Sequence, residues 1–219
     1  MTTRHSFHEQ LESLQRDLLR MGVFVSEAIE KAVQSLARLD IPQARAVIEG
    51  DDTVDRMLID IEKRCLQLMA LQQPMAIDLR TIGTALKIVT DLERMADHAT
   101  DIAEVTQKLA GEPLIKPLVD IPRMSVLARE MTREALDAYV REDETAAREM
   151  IEKDHEIDAL YRAIFDELVE LMQSNPAVVL QATLLLHVAM SLERIGDHAT
   201  NLGEWTIYLL TGELEELNN

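Results

Sequence analysis

Apolar residues recur three or four positions apart along most of the chain. Leu11, Leu14, Leu18, Met21 and Val25 form one such stripe. That period predicts a first helix from about Phe7 to Leu39 with one face turned to a core. Asp40 followed by Pro42 reads as a cap and a first-turn proline opening a second helix. The second helix carries Val54, Met57, Leu58, Ile61, Cys65 and Leu68 and ends near Gln72-Gln73-Pro74. A third helix runs to about Ala110, with Gly111 as its stop.

The pattern then repeats. A shift of 103 residues lays Met21 on Met124, Glu27 on Glu130, Asp40 on Asp143, Asp51 on Asp154, Asp55 on Asp158 and Leu68 on Leu171. The offset falls to 100 after Pro74 and Pro176. There Leu92-Glu93-Arg94-Met95-Ala96-Asp97-His98-Ala99-Thr100 matches Leu192-Glu193-Arg194-Ile195-Gly196-Asp197-His198-Ala199-Thr200. Two unrelated helical cores would match at apolar positions alone, whereas this match includes Glu, Arg, Asp, His and Thr. The expectation is an all-α protein of two tandem, similar three-helix bundles, six helices in total. Residues 1–112 form the first repeat and residues 123–219 the second. The proline-bearing stretch 113–122 is the linker.

Composition narrows the function classes. The 219 residues include 40 acidic and 22 basic side chains, for a net charge of -18. Nucleic acid is excluded as a partner, because phosphate binding needs clustered Lys and Arg. The excess acid suits cations or a basic protein surface. With one cysteine, Cys65, no intrachain disulfide can form; its apolar setting marks it as a small core residue. No apolar leader stretch is visible at the start. The most apolar run, Pro176 to Met190, is interrupted by Gln181, Thr183 and His187 and falls short of the ~20 residues of a membrane span.

The candidate chemistry lies in carboxylates four residues apart: Asp51 with Asp55, Asp154 with Asp158, Glu93 with Asp97, and Glu193 with Asp197. That spacing puts both acids of a pair on one helical face, where like charges repel unless something neutralises them. A hard cation with oxygen ligands would do so. Two adjacent antiparallel helices could bring four carboxylates into one site per bundle. Asp101 extends the first set by a turn, but Asn201 replaces it in the second copy, so the two sites would differ. His98 lies five residues after Glu93 and faces elsewhere. A helix-packing histidine fits that register better than the Glu-x-x-His ligand pair of di-iron bundles. No phosphate loop or nucleophile can be nominated, so no catalytic residue is assigned and the chain does not read as an enzyme. The rival readings are a carboxylate-bridged multi-metal enzyme, a metal-storage helical bundle and a metal-free adaptor.

The stretches Asp91-Leu92-Glu93-Arg94-Met95-Ala96-Asp97-His98 and Ser191-Leu192-Glu193-Arg194-Ile195-Gly196-Asp197-His198 resemble the duplicated signature of the PhoU family. Gln72-Gln73-Pro74 with Asp78-Leu79-Arg80, Phe7-His8-Glu9-Gln10-Leu11 and Met21-Gly22 look similar to other motifs of that family. The resemblance covers nearly the whole chain. It implies a non-catalytic cytoplasmic regulator of phosphate homeostasis, held at the inner membrane only through partners. It implies negative regulation of phosphate uptake and of the phosphate-starvation regulon. The implied partners are the ATPase subunit of the phosphate ABC transporter and a sensor histidine kinase, and a homodimer is implied too. It also implies divalent metal (Mg, Mn, Fe or Zn) on Asp51, Asp55, Glu93, Asp97, Asp154, Asp158, Glu193 and Asp197, to which the spacing adds Asp101. One departure is that Val179-Leu180-Gln181 stands where the first copy has Asp-Leu-Arg.

Overall fold

The computed structural model describes residues 3–72 and 74–217. Gln73 of the Gln-Gln-Pro motif lies outside the described residues, as does the side chain of Gln72. The helices are α1 (Thr3–Arg38), α2 (Ile41–Gln72), α3 (Ile77–Lys108), α4 (Asp120–Arg141), α5 (Glu144–Arg148), α6 (Met150–Ser174) and α7 (Val179–Thr211), with a short 3-10 turn at Pro176–Val178. No strand is present among the described residues. Five of the six expected helices are continuous. The sixth, the second helix of the second copy, is interrupted at Glu149 into α5 and α6, whereas its counterpart α2 is unbroken.

The predicted caps form. Asp40 Oδ1 accepts from the Gln43 amide at 3.0 Å, and Asp143 Oδ1 from the Ala146 amide at 3.1 Å. Each cap follows a residue in the left-handed region, Leu39 (φ 52°) and Glu142 (φ 53°), so the repeat extends to the backbone of the turn. Gly212 ends α7 at φ 82°, a conformation that suits glycine.

α1, α2 and α3 form one three-helix group and α4, α5–α6 and α7 the other. The groups lie side by side, with α3 against α7 and α1 against α4. Equivalent residues meet across this seam. Arg129 Nε donates to its repeat mate Ser26 at 3.3 Å, and the rings of the mates His98 and His198 lie 5.8 Å apart. The copies are therefore related by a local two-fold axis running between these pairs, as in an isologous dimer joined into one chain. α3 and α7, each with neighbours on several sides, carry buried residues around much of their circumference. One continuous apolar core threads both groups and includes Leu14, Leu18, Met21, Leu92, Met95, Met124 and Leu192.

The departure at Gln181 has a structural reason. Its amide accepts from the Ile115 amide and donates to the Pro113 carbonyl at 3.1 Å, clipping the linker to the start of α7. Across the two-fold, Arg80 lies over Gly212 at the end of α7. The start of α7 thus holds the linker that follows α3, and the start of α3 lies close to the end of α7.

Among the described residues, the segment Pro176–Thr211 is the one helix long and apolar enough, by length and composition, to cross a membrane. This corrects the shorter run read from the sequence. Here the helix runs through the core, against α3, α4 and α6, and carries Glu193, Arg194 and Asp197 on one flank.

The tight seams set clear expectations for glycine. A Cβ at Gly203 would lie 2.9 Å from the Ala147 carbonyl oxygen, whereas one at Gly83 meets nothing within 4 Å. Gly203→Val should lose on the order of 2 kcal/mol through overpacking. Gly83→Ala should gain about 0.5–1 kcal/mol from helix propensity. Urea unfolding followed by circular dichroism checks both, and equal effects would refute the packing assignment.

Candidate functional site

Helix periodicity puts each carboxylate pair on one face, and the packing of second helix on third brings the pairs together. Asp51 and Asp55 of α2 meet Glu93 and Asp97 of α3. Asp154 and Asp158 of α6 meet Glu193 and Asp197 of α7. Burial, with mutual repulsion added, raises Asp51, Glu93, Glu193 and Asp197. Partial burial, reinforced by the charges of Asp55, Asp97 and Asp52, pushes Asp51 up to about 6. Burial and then the Asp97 charge raise Glu93, with Asp55 and Asp51 adding to the effect. Burial followed by Asp197 and Asp158 raises Glu193, and burial followed by Asp154 and Asp158 raises Asp197. All eight residues thus sit in two like-charged faces, one per copy.

Among the described residues, positive charge meets the faces at their margins, Arg194 acting on Glu193 and Asp197. Arg94 Nη1 donates to Asp97 at 3.2 Å and its Nε lies 3.6 Å from Glu93. Arg162 Nη2 donates to Asp158 at 2.7 Å. A hydroxyl supports the first acid of each face: Thr100 bonds Asp51, and Thr200 donates to Asp154 at 3.2 Å. These threonines are repeat mates. They stand inside the duplicated stretch, yet their role was not legible there, because only the packed helices bring them to the acids. The second face is set deeper. Asp154 is 7% exposed, next to Gly196, where a Cβ would crowd Ile157 at 3.0 Å. The first copy has Ala96 at that place and leaves Asp51 half-buried.

Asp101 is not brought into the first face. Its carboxylate lies 3.4 Å from His98 Nδ1, and it is not among the charges acting on Asp51 or Glu93. Its mate Asn201 also turns to the seam. Among the described residues, no group of three or more His, Cys, Asp or Glu side chains is drawn together closely enough to hold a metal ion.

Between the faces, on the two-fold seam, lies a polar node with no assigned role in the sequence reading. Asp91 of α3 is 9% exposed and accepts three bonds from α7: His198 Nδ1 at 2.9 Å, Asn201 Nδ2 at 3.1 Å and Trp205 Nε1 at 3.0 Å. Lys87 Nζ sits 5.2 Å over the Trp205 ring. Burial first, with His198 and Arg194 adding, lowers His98, while Asp101 opposes that shift. The sequence held one signal for this node: Asp91 is an acid between the apolar Val89 and Leu92, and its mate is Ser191.

Two expectations follow. Asp91→Ala leaves three half-buried donors without their acceptor and should lose about 1–3 kcal/mol in urea unfolding. Trp205, the single tryptophan, should shift its emission to the red in that variant; unchanged emission would refute the node. For Asp51, an unfolded value of about 3.9 against a folded value of about 6 means the folded state holds its proton more tightly. Metal-free stability should therefore fall as pH rises from about 4 to about 6. Solvent screening of this half-exposed group limits the effect to about 1 kcal/mol. Asp51→Asn should flatten that part of the stability profile and raise metal-free stability at pH 7; an unaltered profile would contradict the repulsion.

Comparison with known proteins agrees with this architecture. The PhoU domain model matches residues 18–106 and 121–206, one match per copy. A phosphate-specific transport system accessory protein PhoU homolog from Clostridium acetobutylicum is 42% identical over 218 residues, covering 99% of this chain and 100% of the relative. A homolog of the same description from Aquifex aeolicus is 42% identical over 206 residues, covering 94% and 93%. The crystal structure of PhoU from Pseudomonas aeruginosa superposes with a TM-score of 0.89 at 35% identity, covering 94% of this chain and 100% of that one. The phosphate transport system regulatory protein PhoU from Streptococcus pneumoniae gives 0.88 at 31% identity, covering 96% and 99%. With the family's domain model matching each copy and relatives alike along the full length in sequence and fold, this chain belongs to the PhoU family.

Proposed function

We propose that the chain is a negative regulator of phosphate uptake and of the phosphate-starvation regulon, a cytoplasmic adaptor between the phosphate ABC transporter and a sensor histidine kinase. Family membership carries the general regulatory role in phosphate homeostasis. The single observation behind the finer reading is the pair of acidic faces, one per copy, on a chain of net charge -18. Such faces suit docking on basic patches of the transporter ATPase or the kinase. A homodimer would double the number of faces available to partners.

The donor set also fits a hard or borderline divalent ion, Mg, Mn, Fe or Zn, by its chemistry: carboxylate oxygens, with hydroxyl support from Thr100 and Thr200. Asp51, Asp55, Glu93 and Asp97 would hold it in the first copy, and Asp154, Asp158, Glu193 and Asp197 in the second. Asp101 would join only by leaving His98. The donors are not yet gathered to a common point, so loading would require side-chain rotation. A bound cation supplies the positive charge that the like-charged acids lack. The side chains then clamp α2 to α3 and α6 to α7, which fixes the surface offered to a partner.

The test is a pull-down from membranes containing the transporter and the kinase, run with divalent metal and with chelator. Retention of the ATPase subunit or kinase with metal, and its loss with chelator or in Asp97→Ala/Asp197→Ala, is the expected result. Retention in every lane would keep the adaptor and remove the metal clamp. Absence of retention with intact partners would overturn the adaptor reading in favour of a metal store.

A further inference from the structure

The two copies treat the groove between their first two helices differently. In the second, Lys153 of α6 reaches across to α4, with its Nζ 2.7 Å from Glu134 and 3.6 Å from Glu130. Its repeat mate is Gly50. A Cβ placed at Gly50 meets nothing within 4 Å. Beside it, the fully buried Met131 of the second copy corresponds to Ala28 in the first. The first copy has a pocket of about 210 Å³ between α1, α2 and α3, lined by Gly50 and Ala28, the positions at which the second copy carries the longer Lys153 and Met131.

The walls of that pocket are apolar, formed by Phe24, Ala28, Ala46, Val47 and Val54, while Asp51 and Thr100 supply polar atoms. Two carboxylates and one ammonium, those of Glu27, Asp51 and Lys31, complete the charge. Lys31 is committed to Glu27 at 2.8 Å. No ion pair joins Asp51 to a cation among the described residues, and its hydrogen-bond partner is the Thr100 hydroxyl. The net charge of the lining repels anions. An alkyl stem can lie along the walls while its charged end reaches the carboxylate, as lysine stems do on protein surfaces.

We propose that the first-copy pocket binds a primary alkylammonium arm of lysine-like length, its stem against Phe24, Ala28 and Val47 and its ammonium on Asp51. The guest's stem takes the place of the Lys153 stem, but its ammonium turns to Asp51, because the position of Glu134, the acid nearest Lys153, is held in the first copy by the cation Lys31. This site is independent of the regulator reading, and because it shares Asp51 with the first acidic face, a bound metal would compete with it.

The test is a methyl NMR titration of the full chain in chelator at fixed ionic strength. The probes are n-butylammonium, Nα-acetyl-lysine methylamide and the neutral n-butanol. Saturable shifts are expected at Ala28, Ala46, Val47 and Val54 with a cationic probe, and binding of n-butanol should be about tenfold weaker or less. Binding of the free amine alone identifies a small amine as the guest; binding of the blocked lysine identifies a side chain of a partner. Gly50→Lys restores the second copy's arm at an open position and should abolish the shifts, as should Ala28→Met on the opposite wall. The absence of saturable shifts, equal binding of n-butanol, or unchanged binding in both variants would overturn the proposal.

Discussion

The contact of α3 with α7 is the constraint on which the molecule depends. These two helices belong to different copies, and each keeps an apolar face that its own bundle leaves uncovered. Joining them places both bundles on one continuous core and fixes the local two-fold axis. An apolar seam between two similar helices is weakly specified, because several registers bury comparable area. Asp91 removes that freedom. Its three acceptor bonds to His198, Asn201 and Trp205 exist in one register only, and a buried carboxylate without them would be costly.

The acidic faces are the converse case. There the fold gathers like charges instead of matching opposite ones, and the repulsion is held by the packing of α2 on α3 and of α6 on α7. The energy stored in each face is available to whatever cation or basic surface approaches it. The two faces are not equivalent: Gly196 lets Asp154 sink into the second, while Ala96 leaves Asp51 nearer the surface of the first. The same divergence recurs one turn away, where Lys153 and Met131 fill a groove that Gly50 and Ala28 leave open. Duplication supplied two similar frames, and side-chain volume has made them different sites.

Much of this was legible in the order of residues. The apolar stripes, the caps at Asp40 and Asp143, and the glycine at 212 are local features, fixed within a turn or two of helix, so helix number and ends follow from the sequence. The duplicated stretch also marked the acids as a set, because four-residue spacing decides which side chains share a face whatever the surroundings. The break at Glu149 was hidden, since no Pro or Gly marks it in the chain; the short α5 that it separates packs against α7.

What the sequence alone determined, then, is the list of helices, their pairing into two like groups and the membership of the acidic pairs. The tertiary structure decided which acids meet. It placed Asp55 with Glu93 in one face and left Asp101 out of it. It also turned Asp91 into the clamp of the seam and made Gln181 a fastener for the linker. The physical reason is one of range: helical period and capping act over three or four residues. The partner of a polar side chain is set by residues some fifty to a hundred positions away, which only packing brings within hydrogen-bonding distance.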